Sequence, residues 1–357
     1  MKIKRPTLII DRRKVLANIQ RMADKAGKSH VRFRPHFKTH QSAQVGDWFR
    51  LFGVTAITVS SVEMASYFAQ HGWQDIAIAF PVNPLEIDEI NDLARRIVLH
   101  LLVESAEIVR FLDRELKHQV NVWLKIDTGY KRTGIAWDNT TEIALVIGAI
   151  EESPVLSFKG ILTHAGHAYQ AGAPAEIKRI HQDTLVKMND TRNRLKPGRS
   201  AGIEISIGDT PTCSVADDFG CVDEIRCGNF VFYDVMQLFL GSCRQEDIAA
   251  AAACPVVAKH AERTELVIYG GAVHLSKERV KDPAGREIYG LLAVRSGDSW
   301  GVLEESAYVS SLSQEHGIIK AGPAFFNRTQ VGDIVMVLPV HACLAADLLK
   351  HNRLVVN

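Results

Sequence analysis

The sequence predicts a (β/α)8 barrel joined to a smaller β domain. Eight short apolar runs rich in β-branched residues are spaced along the first two thirds of the chain, and most neighbours leave room for one helix. Eight such units over about 230 residues is the arithmetic of a closed barrel. No G-x-G-x-x-G follows the first run, which counts against a dinucleotide-binding open sheet. After about residue 245, helical periods give way to strand-like runs separated by glycine.

In order, the runs are Val31 to Phe37, Ala56 to Ser61, Asp75 to Pro81, Leu99 to Glu104, Val120 to Asp127, Phe158 to Gly166, Glu204 to Gly208 and Glu224 to Phe230. Ahead of them, Asp11 is placed to cap a helix with Val15, Leu16, Ile19, Met22 and Ala23 on one face and Gly27 as its stop. Further helices are expected over Pro84 to Arg96, Glu107 to Lys117, Thr140 to Ile150 and Pro174 to Leu195. The β domain takes Leu266 to Tyr269, Leu291 to Arg295, Ala307 to Leu312 and Ile334 to Leu338, with the first ten residues joining it. The expected division is 11–245 for the barrel and 246–357 with 1–10 for the β domain.

Composition narrows the function. The 357 residues are 46% hydrophobic and 23% charged, which suits a folded chain of two or three domains. Lysine and arginine number 42 against 41 acidic residues, so the basic excess of a phosphate-neutralising nucleic-acid binder is missing. None of the six cysteines forms a C-x-x-C pair, and they read as reduced thiols. The longest apolar stretch, Ile248 to Ala258, is about half the ~20 residues of a membrane span. A cytoplasmic enzyme acting on a small molecule is expected.

In a barrel of this kind chemistry sits at the carboxyl ends of the strands. The first run ends in RPHFKTH, with Lys38 between His36 and His40. Burial and neighbouring cations would lower the pKa of that amine, as Schiff-base formation requires; a surface lysine fits the heptapeptide equally. The fifth ends in KIDTGYKRTG, where Arg132 could meet a phenolate or carboxylate, or pair with Asp127. The sixth ends in THAGHAY, offering His164 and Tyr169 for stacking and acid–base work. The seventh and eighth lead into SIGDTPT and RCGN, whose small residues suit a phosphate nest, with Asp209 a mild objection. Near the end, PVHAC carries His341 and Cys343. On a strand they would share one face, either as half of a zinc site or as a chance pair.

Taken in order, RPHFKTH, KIDTGYKRTG, GILTHAGHAY, SIGDTPT, EIRCGNFVFYD, SQEHG near Glu315 and PVHAC resemble the fold-type III pyridoxal phosphate enzymes, whose barrel is shared with alanine racemase. The likeness covers nearly the whole chain and is nearest to the metal-activated branch of D-serine dehydratase, D-threo-3-hydroxyaspartate dehydratase and D-threonine aldolase. It implies that Lys38 holds pyridoxal phosphate as a Schiff base and that Arg132 faces the cofactor hydroxyl. His164 packs near the ring and Tyr169 lies toward the substrate. Thr210, Gly228 and Asn229 bind the phosphate, with Gly208 shaping the loop. Arg226 meets the pyridine nitrogen, and His341 with Cys343 holds a divalent metal. A homodimer is implied as well.

An arginine on the pyridine nitrogen leaves it unprotonated and weakens the electron sink. A metal on the departing hydroxyl compensates as a Lewis acid. That reading gives a dehydratase of a D-3-hydroxy amino acid, yielding a 2-oxo acid and ammonia, with Lys38 taking the Cα proton. The alternative is retro-aldol cleavage to glycine and an aldehyde. A thiolate at Cys343 favours zinc over manganese and ranks the dehydratase first. A racemase or a cofactor carrier without turnover would leave the His-x-Cys pair unexplained. Tyr269 and Asp209 depart from residues common among relatives, Asp and Ser respectively.

Overall fold

The structure, a computed structural model, describes residues 3–195 and 202–357. The chain divides into two compact units. One comprises Arg21–Lys38 and Ser42–Gly228; the other comprises Met1–Gln20, Thr39–Gln41 and Asn229–Asn357. The contact division thus falls at Gly228, ahead of the change in sequence texture near residue 245.

The first unit is the expected barrel. Its strands are Arg32–Phe33, Ile57–Val59, Asp75–Pro81, Val98–Val103, Val120–Asp127, Leu156–Leu162, Glu204–Ile207 and Glu224–Ile225, one in each predicted run. All pair in parallel with their neighbours. A parallel bridge between His36 and Thr58 closes the ring. The unbroken burial of residues 122–126 within the strand Val120–Asp127 is what a sheet covered by helices demands. Leu102, Trp123 and Leu162 pack in its interior.

Helices start where the sequence offers a cap. Ser42, Ser61, Ser105 and Asn139 each accept a backbone N–H from the first turn of the helix that follows. The helix Ile87–Arg96 buries Ile90 and Leu93, three residues apart on one face, with Asn91 beside them. One expectation fails locally. The first helix, capped by Asp11, runs through Gly27 to Lys28. It ends because His30 adopts the left-handed conformation at φ 55°, while Val31 N–H returns to Ala26 O.

The second unit is an antiparallel barrel. The order is Glu265–Tyr269, His316–Ala321, Ser299–Leu312, Gly290–Ser296, Ile334–Pro339 and Ala250–His260, and the last pairs back onto the first. Thr7–Asp11 lies antiparallel beside Ala250–His260 and carries Arg353–Val356 in parallel. The apolar stretch from Ile248 is therefore a buried strand, and no helix among the described residues is long and apolar enough to cross a membrane. All six cysteines are free thiols.

Candidate active site

The strand ends of the parallel barrel gather Lys38, Lys125, Arg132, His164 and Arg226. Lys38 follows the closing bridge and is exposed. The burial penalty expected at Lys38 falls on Lys125, which is 5% exposed within Val120–Asp127. Burial, then the charges of Arg226 and Arg132, push its ammonium down to about 7. Sequence reading passed over Lys125, although a single lysine inside the apolar run VNVWLKI is the signal that marks it.

His164 is held well below the usual imidazole range by burial and by the charges of Lys125, Lys38 and Arg132. Its Nδ1 donates to the carbonyl of Gly208, so the neutral ring presents Nε2 as an acceptor. Tyr130 stands edge-on to His164 at 5.9 Å and lies against Gly166, where a Cβ would come within 2.3 Å of its ring. Arg132, exposed, sits 5.0 Å from the Tyr130 centroid. Tyr169 lies 6.3 Å from His164, and its hydroxyl accepts the Thr210 N–H at 3.3 Å. That hydroxyl is thus found at the loop expected to take phosphate.

The loops after the seventh and eighth strands meet at Gly208. A Cβ there would stand 2.9 Å from Arg226 Cβ and 3.0 Å from its carbonyl carbon, so only glycine permits this approach. Asp209 does not point at an anion. Its two oxygens accept from Thr212 N–H at 2.8 Å and Thr212 hydroxyl at 2.7 Å, capping Thr210–Val215. Burial pushes its carboxyl up to about 6. Buried Arg226 donates from Nε to Ser206 Oγ at 2.7 Å and from Nη2 to Thr163 O at 2.7 Å. Cationic side chains with a glycine cradle beside them fit an anionic cofactor that carries a phosphate and an aldehyde, with Lys38 as the amine to receive it.

His341 and Cys343 lie differently from expectation. The strand Ile334–Pro339 stops before them, so the period of two does not apply. His341 is the extended cap residue of Ala342–Leu348, and Cys343 stands in that helix's first turn. The turn still brings them together, for the two side chains hydrogen-bond. Burial would lower His341, but Cys343 and Glu278 outweigh it and raise the imidazole to about 11. Glu278 Oε2 is 2.9 Å from His341 Nδ1.

The Cys343 sulfur has Thr39 Oγ1 at 3.2 Å and accepts from Asn229 Nδ2 at 3.5 Å. That amide also donates to Asp234 Oδ2 at 2.6 Å, and Asp234 Oδ2 accepts the Ala342 N–H at 2.9 Å. The side-chain amide of Asn229 is therefore engaged at Cys343 and Asp234. Imidazole and sulfur donors that already draw positive charge fit a zinc ion. Among the described residues no group of three or more His, Cys, Asp or Glu is arranged to hold a metal ion, so two protein donors would leave positions for other ligands.

The alanine racemase N-terminal domain family matches residues 10–235, and the serine dehydratase domain family matches residues 249–356. The chain is 29% identical over 351 residues to D-threo-3-hydroxyaspartate dehydratase of Delftia sp., covering 95% of this chain and 90% of that protein. It is 28% identical over 365 residues to D-serine dehydratase of Dictyostelium discoideum, with the same coverage of 95% and 90%. The solved Delftia enzyme superposes with a TM-score of 0.89 at 27% identity, over 97% of this chain and 93% of that one. Structures of D-threo-3-hydroxyaspartate dehydratase also include a cysteine-to-alanine mutant in the metal-free form and a histidine-to-alanine mutant, the two positions lying two residues apart.

Proposed function

The chain belongs to the family of the alanine racemase N-terminal domain, here joined to a serine dehydratase domain, and from that premise we propose a pyridoxal phosphate- and zinc-dependent dehydratase of a D-3-hydroxy amino acid. The observation that carries the reading is the His341–Cys343 pair in a chain whose barrel presents Lys38 among cationic strand-end groups. The His-x-Cys spacing matches that of the two residues replaced in the mutant D-threo-3-hydroxyaspartate dehydratases.

Pyridoxal phosphate, when bound, withdraws electrons from the substrate Cα, and zinc, when bound, draws electrons from the β-oxygen. The residues of the chain supply the rest. Lys38 Nζ holds the cofactor and then takes the Cα proton. Arg226, charged at neutral pH even though burial lowers it to about 10, donates to the ring nitrogen and never accepts from it. Gly208, Thr210 and Gly228 bring backbone to the phosphate, and Asn229 contributes its main chain. Arg132 faces the cofactor hydroxyl. The neutral His164 packs against the ring without adding charge, and Tyr169 closes the phosphate side. His341 and Cys343 hold the metal, the thiolate favouring zinc over manganese. Loss of water from Cα and Cβ leaves an enamine; its imine tautomer takes up water and releases ammonia, so the net products are a 2-oxo acid and ammonia.

Product analysis with D-threonine, in the presence of pyridoxal phosphate and zinc, checks the reading. 2-Oxobutanoate with ammonia is expected. Glycine with acetaldehyde would mean Cα–Cβ cleavage and would replace the dehydratase by an aldolase.

A further inference from the structure

We propose that the Ser206 hydroxyl and the Glu224 carboxylate are positioning residues for Arg226, locking its guanidinium as a fixed cation at the ring end of the site. This rests on the cofactor reading above and adds residues that reading does not use. The argument is one of donors and acceptors. Arginine only donates, so Ser206 Oγ accepts from Arg226 Nε at 2.7 Å. An ionised carboxylate only accepts, so the single Ser206 hydrogen goes to Glu224 Oε1 at 2.7 Å. The hydroxyl therefore has one orientation, and its lone pair faces Arg226.

Glu224 has no freedom to do otherwise. It is fully buried, and its second oxygen accepts from Arg34 Nε at 2.7 Å and Arg32 Nε at 2.7 Å. Those two charges and Ser206 keep its carboxyl below the ordinary range despite burial. Behind it, Arg34 Nη1 donates to Asp75 Oδ1 at 2.6 Å, and His100 Nε2 meets the same oxygen at 3.1 Å. Trp123 Nε1 donates to His100 Nδ1 at 3.1 Å, which fixes the proton of the neutral imidazole on Nε2. The chain of bonds runs from Arg226 to Trp123 through the barrel, with donors converging on the two carboxylates, Glu224 and Asp75.

Arg226 needs that support. Burial lowers its hold on the proton, and Glu224 is the first of the groups that raise it again. It also shares the site with buried Lys125, whose charge it opposes. With Nε held by Ser206, Nη2 held by Thr163 O and the stem packed under Gly208, the guanidinium points one way. Removing the Ser206 hydroxyl frees Nε and cuts the link to Glu224.

The experiment compares Ser206→Ala and Ser206→Thr with wild type as holoenzymes, using a D-3-hydroxy amino acid that wild type turns over. Ser206→Ala is expected to load pyridoxal phosphate and to shift the absorbance maximum of the bound cofactor. Its kcat falls by about 10²-fold, as for a misplaced catalytic group, with KM within a few-fold. Ser206→Thr restores both readouts. A wild-type spectrum and kcat in Ser206→Ala overturn the proposal. So does a fall in kcat that follows lost thermal stability with the spectrum unchanged. If alanine leaves too large a void to fold, Ser206→Cys serves as the second variant. Arg226→Lys separates the two levels of argument. A changed spectrum there beside an unchanged one in Ser206→Ala keeps the cofactor reading and removes the positioning role. Failure of wild type to take up pyridoxal phosphate removes both.

Discussion

Glu278 Oε2 lies 2.9 Å from His341 Nδ1, so the carboxylate fixes which imidazole nitrogen faces Cys343. A carboxylate behind a ligating histidine raises its basicity and orients its ring. Replacing Glu278 by Ala should lower zinc affinity about 10- to 100-fold, read by competition with a chromophoric chelator. Glu278→Gln, which can still accept from Nδ1, should fall between the two. Equal zinc affinity in all three proteins would assign Glu278 to the surface alone.

Gly208 is the second sensitive point. An added Cβ would meet Arg226 at backbone as well as side-chain atoms, and backbone cannot swing aside. Gly208→Ala should destabilise the fold by about 1–3 kcal/mol through overpacking and weaken pyridoxal phosphate binding. Thermal melting and a cofactor titration read the two effects separately. Unchanged cofactor affinity would mean that the loop does not form the phosphate cradle.

Most of the barrel was legible because buried parallel strands read as apolar runs and their helices begin at Ser or Asn caps. What escaped depends on enclosure and on local backbone geometry, which residue types in a row do not reveal. Lys38 and Lys125 both stand at or near the end of a predicted apolar run, yet only the enclosure of the barrel decides which is buried. Asp209 looked hostile to phosphate until Thr212, three residues on, took both its oxygens. His341 and Cys343 were paired for the wrong reason, since a helix cap and a first turn can bring i and i+2 side chains together as a strand does. The link from Arg226 to Glu224 has a spacing of two in sequence, but its bridge, Ser206, comes from another strand. Gly27 promised a helix stop that His30 in fact makes.

Arg34 is a buried arginine held by two carboxylates. It is 2% exposed and bonds both fully buried Glu224 and Asp75. Removing one partner of a buried pair leaves the other charge uncompensated, a loss of about 3–5 kcal/mol. Arg34→Met should therefore cut the unfolding free energy by that amount in urea, and Glu224→Gln should do comparable damage. The half-exposed pair Arg50–Asp47 serves as the control, since exposed pairs contribute about 0–1 kcal/mol.

Lys125 makes the stability of the cofactor-free chain depend on pH. In the folded chain burial pushes its ammonium down to about 7, from an ordinary lysine value of 10.5. Below the folded value the amine is charged in both states, and the cost of burying that charge is carried in full. Between the two values the unfolded chain binds the extra proton, so stability rises with pH through this window. The slope is at most one proton, about 1.4 kcal/mol per pH unit. Lys125→Met should remove the rise, leaving a flatter profile of melting temperature from pH 7 to about 10. If wild type and Lys125→Met show parallel profiles over that range, the lysine keeps its proton in the folded barrel, and the cationic cluster holds one more charge than the burial of Lys125 indicates.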